Sequence, residues 1–347
     1  MLAKENFSLE HINELREATK LDPALLERCV YAFGLLESIV RVGMPFIFKG
    51  GTSLMLLLAH PMRLSTDIDI IVKPGTDIDT YIKKASAIFP FVRYEEQLRL
   101  GKNRIEKRHF RFIYDSPYNK RELYILLDVV FEENHYASTV QRRISNGMLL
   151  SVEPDTYVSI PSVNCILGDK LTAFAPHTTG IPFGINKDME IMKQLYDVAT
   201  LAEAVGDYGE VIDTYYQVAK AEIDYRGEPI TPEDALNDAI TASACIISKG
   251  KQNAEEYRLY VKAIRDLNSH IINERYSTEL AAERACRVMY VAACVLTKKR
   301  HPIAIANPEE YIKADFPNAK YRKLAYMRKQ NIEAYACLVE AVRMLGS

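Results

Sequence analysis

Residues 46–72 constrain this chain more than any other stretch, because a strand, a glycine turn, a helix and a second strand follow one another within them. The apolar residues 46–48 predict a short strand, and Lys49 and two glycines come directly after it. Glycine permits a tight turn and close approach of a ligand to the backbone. A helix-compatible run over residues 54–59 then points its first N–H groups back at the turn, which forms a seat for an anion.

The second predicted strand carries Asp67 and Asp69 in alternation with Ile68 and Ile70. Residues i and i+2 of a strand point to the same side, so the two carboxylates share a face. Adjacent carboxylates repel each other unless a cation lies between them. Hard oxygen ligands are those that Mg²⁺ prefers, so we expect Mg²⁺ (or Mn²⁺) at this strand. The alternative is an ordinary loop and a strand end with solvated aspartates.

The order of strand, Gly-Gly-Thr-Ser, helix and Asp-x-Asp strand resembles the nucleotidyltransferase superfamily. A longer motif is similar to that of the AbiEii toxin family. It reads Lys-Gly-Gly-Thr-Ser-Leu from residue 49 and Arg-x-Ser-x-Asp-Ile-Asp from residue 63. The resemblance implies a nucleoside triphosphate (NTP) bound through the metal, with Arg63 reaching the phosphates or ordering the loop. The residues that it assigns to the NTP are Lys49, Gly50, Gly51, Thr52, Ser53, Arg63 and Ser65.

A later strand adds a third carboxylate. Residues 123–131 are the most hydrophobic predicted strand, and Asp128 interrupts them. A buried aspartate is costly unless it is paired or bound to metal. Nucleotidyltransferases carry a third carboxylate on a later central strand, and Asp128 resembles it, so the implied metal ligands are Asp67, Asp69 and Asp128. The alternative is an aspartate that is hydrogen-bonded to a neighbouring loop.

Two helical segments resemble further AbiEii motifs. The family reads Glu-Lys-Leu-x-Ala and Arg-Asp-Leu-Tyr-Asp-Leu, where this chain has Asp-Lys-Leu-Thr-Ala from residue 169 and Lys-Gln-Leu-Tyr-Asp-Val from residue 193. Gln194 thus stands in place of an aspartate. The resemblance implies that Lys170 neutralises the β- and γ-phosphates and that Asp197 orients Lys170 or serves as a base. With Asp67 and Asp69 they form the implied catalytic set; the alternative is an ion pair between two helices. The Gly- and Pro-rich residues 176–186 between these motifs predict a loop, either a lid or a plain connector.

The net charge of −2 means that any nucleic-acid surface must be a local basic patch. Three segments qualify: the connection 99–109 between two predicted strands, residues 298–301, and residues 320–329 within a predicted helix over 318–345. Basic residues at a sheet edge or on a solvated helix face are the alternatives. The candidate RNA contacts are Arg104, Lys107, Arg108, Arg322, Lys323, Arg328 and Lys329.

Length and composition set the class of protein. A chain of 347 residues with 48% hydrophobic and 26% charged residues predicts a soluble globular protein of roughly two domains. The six scattered cysteines predict buried thiols in a reducing compartment rather than disulfides or zinc ligands. No apolar run reaches the ~18 residues of a membrane span, and the N-terminus lacks a signal peptide, so we expect a cytoplasmic protein without membrane contact.

The predicted fold is α/β. A nucleotidyltransferase domain over residues 1–200, a small mixed twisted sheet with flanking and N-terminal bracing helices, precedes an all-helical C-terminal domain over 201–347. The predicted function is metal-dependent transfer of a nucleoside monophosphate from an NTP to an acceptor, with release of pyrophosphate. The family resemblance implies a toxin of a toxin–antitoxin or phage-defence system, with tRNA as acceptor and a cognate antitoxin as partner. Two alternatives stay open: nucleotidylation of a small molecule or a protein hydroxyl, and a nucleotide- or RNA-binding module without catalysis.

Overall fold

The computed structural model describes residues 1–60, 62–97, 105–316 and 318–346. The chain forms two compact units. The first comprises Met1–Asn134, Thr139–Ser162 and Ser269–Glu274; the second comprises His135–Ser138, Val163–Asn268 and Arg275–Ser347. Each unit is described by itself below.

A five-stranded mixed sheet organises the first unit, in the order β1-β2-β5-β4-β3. Only the β2–β5 pair is parallel among these neighbours. The strands are β1 (Ile47–Lys49), β2 (Ile68–Val72), β3 (Arg93–Gln97), β4 (Glu106–Asp115) and β5 (Glu122–Phe131). A separate antiparallel pair, not predicted from the sequence, is formed by β6 (Thr139–Arg143) and β7 (Tyr157–Pro161). The predicted small mixed sheet is confirmed.

Helices flank this sheet. They are α1 (Leu9–Thr19), α2 (Pro23–Arg41), α3 (Gly50–Leu57) and α4 (Asp79–Ser86), and a 3-10 turn (Lys4–Phe7) precedes them. Asp22 caps α2, since its carboxylate accepts from the backbone N–H of Leu25 at 2.9 Å, and Pro23 takes the first helical position. α2 packs against β2, β5 and α4 and is largely buried. It therefore supplies the core on one face of the sheet.

Alternation along the strands separates an apolar face from a polar one. Phe48, Ile70, Val129 and Phe110 come from four different strands and are fully buried. Their chain neighbours must point to the opposite face, because successive strand residues alternate. That opposite face carries the predicted aspartates of β2 and β5.

Helices make up the second unit. They are α5 (Val163–Ala173), α6 (Asp188–Ala204), α7 (Gly209–Arg226), α8 (Pro232–Ile247), α9 (Ala254–Leu267), α10 (Thr278–Leu296), α11 (Met327–Gln330) and α12 (Ile332–Leu345). α10 packs against α8 and α12, and α5 packs against α6 and α7. The long helical part of the second unit starts at Val163 rather than after the expected position 200, because α5 and α6 pack against the other helices of this unit.

The predicted single helix over 318–345 is interrupted. A 3-10 segment (Ala319–Leu324) and α11 precede α12, and Asn331 between them is extended, with φ −153° and ψ 114°. Its side chain accepts from the N–H of Ala334 at 3.0 Å and donates to Glu283 at 2.9 Å. A side chain that caps the next helix competes with helix continuation, which is why the break lies at this asparagine.

The cysteines are free thiols, and five of the six are buried, as predicted. Burial raises the pKa of the Cys29 thiol to about 12, which disfavours the thiolate form. Across the described ranges, no helix is both long enough and apolar enough to cross a membrane.

Candidate active site

The turn between β1 and α3 contains a glycine that two separate constraints require. Gly50 has φ +81°, in the left-handed region that favours glycine. A Cβ added at this position would lie 2.1 Å from Oδ2 of Asp69. The backbone at the start of α3 therefore lies directly against a carboxylate of β2, as close approach to a site requires.

The helix begins four residues earlier than the sequence predicted, at Gly50 rather than at residue 54. Thr52 and Ser53 consequently lie in its first turn, where both are fully buried. The Thr52 hydroxyl donates to the carbonyl oxygen of Asp67 at 2.6 Å, and the Ser53 hydroxyl donates to that of Gly50 at 2.8 Å. The Thr52 hydroxyl thus holds α3 against the start of β2, and the Ser53 hydroxyl closes the first turn of α3. No side chain caps the helix N-terminus, so the anion-binding groups there are backbone N–H groups.

Arg63 and Ser65 pack against the second glycine. A Cβ on Gly51 would lie 2.7 Å from Nη2 of Arg63 and 2.8 Å from Oγ of Ser65. Arg63 is buried, donates from Nη1 to the carbonyl oxygen of Leu64 at 3.1 Å, and forms a β-bridge with Ile271. These contacts favour the loop-ordering role over direct phosphate contact.

One row of polar residues crosses all five strands of the sheet. Lys49 of β1 pairs with Asp69 of β2, and Asp69 pairs with Asp128 of β5. Asp128 in turn pairs with His109 of β4, which pairs with Gln97 of β3. Residues directly opposite each other on neighbouring strands point to the same face. The two central carboxylates therefore come together although 59 positions of sequence, from 69 to 128, separate them.

Asp67 precedes β2 by one residue and stands on the same side as Asp69 by alternation. Its side chain is about half exposed. Oδ1 lies 3.8 Å from Nη2 of Arg28 on α2, and the Thr66 hydroxyl donates to it at 3.5 Å. Arg28 supplies positive charge next to the Asp-x-Asp pair, and nothing in its helical spacing indicates this.

Two side-chain pairings involve residues of this polar row. Within the row, His109 Nδ1 lies 2.6 Å from Oδ1 of Asp128. At its β1 end, Lys49 Nζ lies 3.5 Å from Oε1 of Glu132, a buried residue directly after β5. Both pairings depend on strand register, so neither motif nor periodicity signals them.

The donor set fits a divalent cation in its chemistry. Asp67, Asp69 and Asp128 offer carboxylate oxygens on one face, and Gly50 leaves space at Oδ2 of Asp69 that any side chain would fill. Within the described ranges, no three His, Cys, Asp or Glu side chains are gathered closely enough to form a metal-binding cluster. Assembly of the set therefore requires side-chain rotation toward a cation.

In the second unit, Lys170 and Asp197 form a buried ion pair. Lys170 Nζ on α5 lies 2.9 Å from Oδ2 of Asp197 on α6, and it donates to Oε1 of Gln194 at 3.2 Å. Both ionised groups are almost fully buried. The helix-to-helix pair weighed from the sequence is thus present. Gln194, the departure from the family pattern, contributes an acceptor to the same ammonium.

The three RNA-contact candidates from the basic connection between β3 and β4 differ in their surroundings. Arg104 lies outside the described residues, and Lys107 is exposed. Arg108 donates to Glu96 at 2.7 and 2.8 Å and to Asp79 at 2.7 Å. These hydrogen bonds, above all those to Glu96, raise the pKa of the Arg108 guanidinium. A phosphate at Arg108 would have to displace two carboxylates.

The C-terminal basic segment is mostly open to solvent. The exposed candidates are Arg322, Lys323 and Lys329. Arg328 instead donates to the carbonyl oxygen of Ile312 at 3.0 Å.

Two further lysines join this surface from the α8–α9 connection. Nζ of Lys249 and Nζ of Lys251 lie 5.9 and 5.8 Å from the centre of the Tyr326 ring. Both lysines are exposed, and Lys249 also pairs with Glu279 at 2.9 Å. No local sequence pattern indicates that these lysines lie near Tyr326, because about 75 residues separate them from it.

The loop after α5 is held in place at its start. Asp238 accepts from the N–H of His177 at 2.8 Å and from the hydroxyl of Thr178 at 2.9 Å. Arg226 donates to the carbonyl oxygens of Thr178 at 2.9 Å and Gly180 at 3.1 Å. Between residues 177 and 180 these contacts favour a fixed connector over a moving lid.

Two crystal structures from Helicobacter pylori resemble the chain. JHP933 is 14% identical to this chain. The matched region covers 78% of this chain and 93% of JHP933, and the TM-score is 0.42. A second protein, provisionally named a nucleotidyltransferase, is 15% identical. The matched region covers 78% of this chain and 96% of that protein, and the TM-score is 0.43. Both TM-scores lie below 0.5, so neither likeness supports an argument about function. A search of curated proteins found no match.

The sequence also matches a family model described as "Nucleotidyl transferase AbiEii toxin, Type IV TA system" over residues 35–277, well over half of the chain. The match contains the glycine turn, the three aspartates of the sheet and the Lys170–Asp197 pair. The chain therefore belongs to the AbiEii family of nucleotidyl transferase toxins.

Proposed function

We propose that the protein is a metal-dependent enzyme that moves a nucleoside monophosphate from an NTP to an RNA acceptor, with tRNA as the acceptor that the family resemblance implies. We further propose that it acts as a toxin with a cognate antitoxin protein as partner. The observation that carries the proposal is the register that sets Asp69 beside Asp128, with the Gly50 turn directly against Asp69.

The side chains of Asp67, Asp69 and Asp128 would hold Mg²⁺ or Mn²⁺. A divalent cation at such carboxylates lowers the pKa of a bound hydroxyl and neutralises charge on the leaving phosphates. The uncapped N–H groups at the start of α3 bind phosphate oxygens. Arg63, packed against Gly51, keeps the turn in the conformation that this requires.

The reaction balances as a substitution at phosphorus. The acceptor hydroxyl oxygen bonds to the α-phosphorus, the bond from that phosphorus to the bridging oxygen breaks, and pyrophosphate leaves. The hydroxyl proton passes to a carboxylate, for which the family resemblance offers Asp197. Lys170 is assigned to the phosphate charge on the same ground, with Gln194 and Asp197 holding its ammonium.

The acceptor surface proposed for RNA lies on the second unit. It combines exposed cations from residues 320–329 with Lys249 and Lys251 beside Tyr326. Cations spaced along a surface track a phosphate backbone, and an aromatic ring among them offers a face on which a base can stack. This combination favours RNA over a small-molecule acceptor.

Labelled NTPs test the proposal directly. The protein is incubated with each of the four α-³²P-labelled NTPs, Mg²⁺, total RNA and protein extract, and label is followed into each fraction. We expect label in small RNA with one or a few of the NTPs. Label in protein or in small molecules would point to the rival acceptors, and label in no fraction would contradict transferase activity.

Variants assign that activity to the sheet. Asp67→Ala and Asp69→Ala should each lower labelling by orders of magnitude with the thermal unfolding midpoint little changed, because removing one carboxylate relieves repulsion. Asp115→Asn, an exposed carboxylate at the end of β4, is the matched control and should label normally. Near-normal labelling by either alanine variant would refute the two-carboxylate mechanism.

A further inference from the structure

A histidine that no motif marks is bonded to one of the two central carboxylates of the sheet. His109 and Asp128 are direct neighbours in the β4–β5 register, and Nδ1 of the histidine lies 2.6 Å from Oδ1 of the aspartate. An imidazole nitrogen bonded to an ionised carboxylate is the one that carries the hydrogen, so Nδ1–H donates. The side chains are only 14% and 26% exposed, and a charge-assisted bond in such partly dry surroundings is strong and short.

The bond is asymmetric with respect to the carboxylate. Asp128 stands between His109 on β4 and Asp69 on β2. One neighbour offers a hydrogen-bond donor and the other a second carboxylate, so Oδ1 is drawn toward β4. Within the described ranges, no other hydrogen bond or ion pair joins the Asp128 side chain to the protein. Oδ2 is consequently the oxygen that the protein leaves uncommitted.

We propose that His109 is the positioning residue of the site: its Nδ1–H holds one oxygen of Asp128 and so leaves the other for the cation shared with Asp69. This inference rests on the proposed function, since it gives Asp128 the role of a metal ligand. Without this bond, the last torsion of Asp128 would lose its hydrogen-bond constraint, and repulsion from Asp69 would favour orientations that turn the carboxylate oxygens away from it. Outer partners that orient metal ligands typically change metal affinity by about 10- to 100-fold when they are removed.

The sheet offers a simple reason for a histidine at this position. The donor must reach a carboxylate on the adjacent strand from a directly opposed residue, and Nδ1 of His109 does so at 2.6 Å. Asparagine places its amide N–H near the position of Nδ1, whereas the amide of glutamine lies near that of Nε2. Comparing His109→Asn with His109→Gln therefore tests whether the position of the N–H donor matters, because both variants are polar and carry the same amide group.

The test measures Mn²⁺ binding to the full-length protein by electron paramagnetic resonance, without NTP or RNA, so the readout does not depend on turnover. His109→Leu and His109→Gln should bind Mn²⁺ about tenfold or more weakly, and His109→Asn should recover most of the affinity. In labelling assays the two weak variants should need more metal for half-maximal activity and reach a similar rate at saturation. His177→Leu, which removes a histidine paired with Glu256 in the second unit, is the matched control and should bind Mn²⁺ normally.

The outcomes separate the inference from the proposed function. Unchanged Mn²⁺ binding in Asp69→Asn and Asp128→Asn would refute the metal site itself. Loss of binding in those two variants together with normal affinity in His109→Leu and His109→Gln would overturn the role of His109 alone. Equal loss in His109→Asn and His109→Gln would also overturn it, because the donor position would then not matter. If His109→Leu fails to fold, the comparison of the asparagine and glutamine variants decides.

Discussion

At the scale of single residues, Gly50 shows how a backbone position serves a site. Its left-handed φ of +81° and the 2.1 Å approach of Asp69 to a hypothetical Cβ are independent reasons for glycine. The first is a local conformational preference, and the second is a tertiary contact. A substitution therefore affects both the stability of the turn and the position of a carboxylate.

Gly50→Ala should destabilise the protein by more than about 2 kcal/mol and abolish transfer, because strain at positive φ adds to the clash with Asp69. Urea unfolding measures the first effect and labelled-NTP transfer the second. Gly75→Ala is the matched control: Gly75 has φ +80° with nothing within 4 Å of its Cβ position, so only the strain of about 1 kcal/mol applies. Equal destabilisation of the two variants would contradict the close approach to Asp69.

At the scale of elements, the contact between α5 and α6 includes a buried ion pair. The ammonium of Lys170 and the carboxylate of Asp197 are buried together, with Gln194 as a further acceptor. Removing one member of such a pair leaves an uncompensated charge, whereas replacing both by apolar residues often costs little. Structural and catalytic roles of the pair can therefore be separated.

Lys170→Ala should cost about 3–5 kcal/mol in urea unfolding, and the double variant Lys170→Met with Asp197→Leu should recover most of that loss. NTP binding and transfer should be lost in both variants, since neither retains a phosphate cation. Lys193→Ala, which breaks a pair with Glu190 within α6, should change stability by less than about 1 kcal/mol. A folded double variant with normal NTP affinity and turnover would leave the pair a purely structural role.

At the scale of the whole molecule, a net charge of −2 gives RNA no general attraction. Binding must then come from the local surface of the second unit, where exposed cations of residues 320–329 lie in the same segment as Tyr326 and two more lysines approach its ring. Association through such a surface releases counterions and is steeply salt-dependent.

Replacing Arg322, Lys323 and Lys329 by glutamine should flatten the plot of log tRNA affinity against log salt by roughly 0.7 to 0.9 for each phosphate that the variant no longer neutralises. NTP affinity should not change. Replacing Lys73, Lys83 and Lys84, three exposed lysines of the first unit, removes the same charge and should leave the slope as in the wild type. A flat salt dependence in the wild-type protein, or an equal loss of slope in both triple variants, would rule out this RNA surface.

The sequence by itself determined what depends on near neighbours. Alternation put Asp67 and Asp69 on one face of a strand, and the local order Asp22-Pro23 is the capped start of α2. The sequence motifs identified the family, and Asp128 was recognisable as a charged residue within an apolar strand. These signals are local, because side-chain direction and capping are set within a few residues.

Only the tertiary structure decided which of these residues meet. The opposition of Asp128 to Asp69 and of His109 to Asp128 follows from strand register, and shifting one strand by one residue would turn every one of its side chains to the other face. The burial of Arg63 on Gly51 likewise depends on distant parts of the chain. Periodicity predicts which way a side chain points but not which residue lies opposite it on the next strand. That pairing is set by hydrogen bonds between strands that are far apart in sequence.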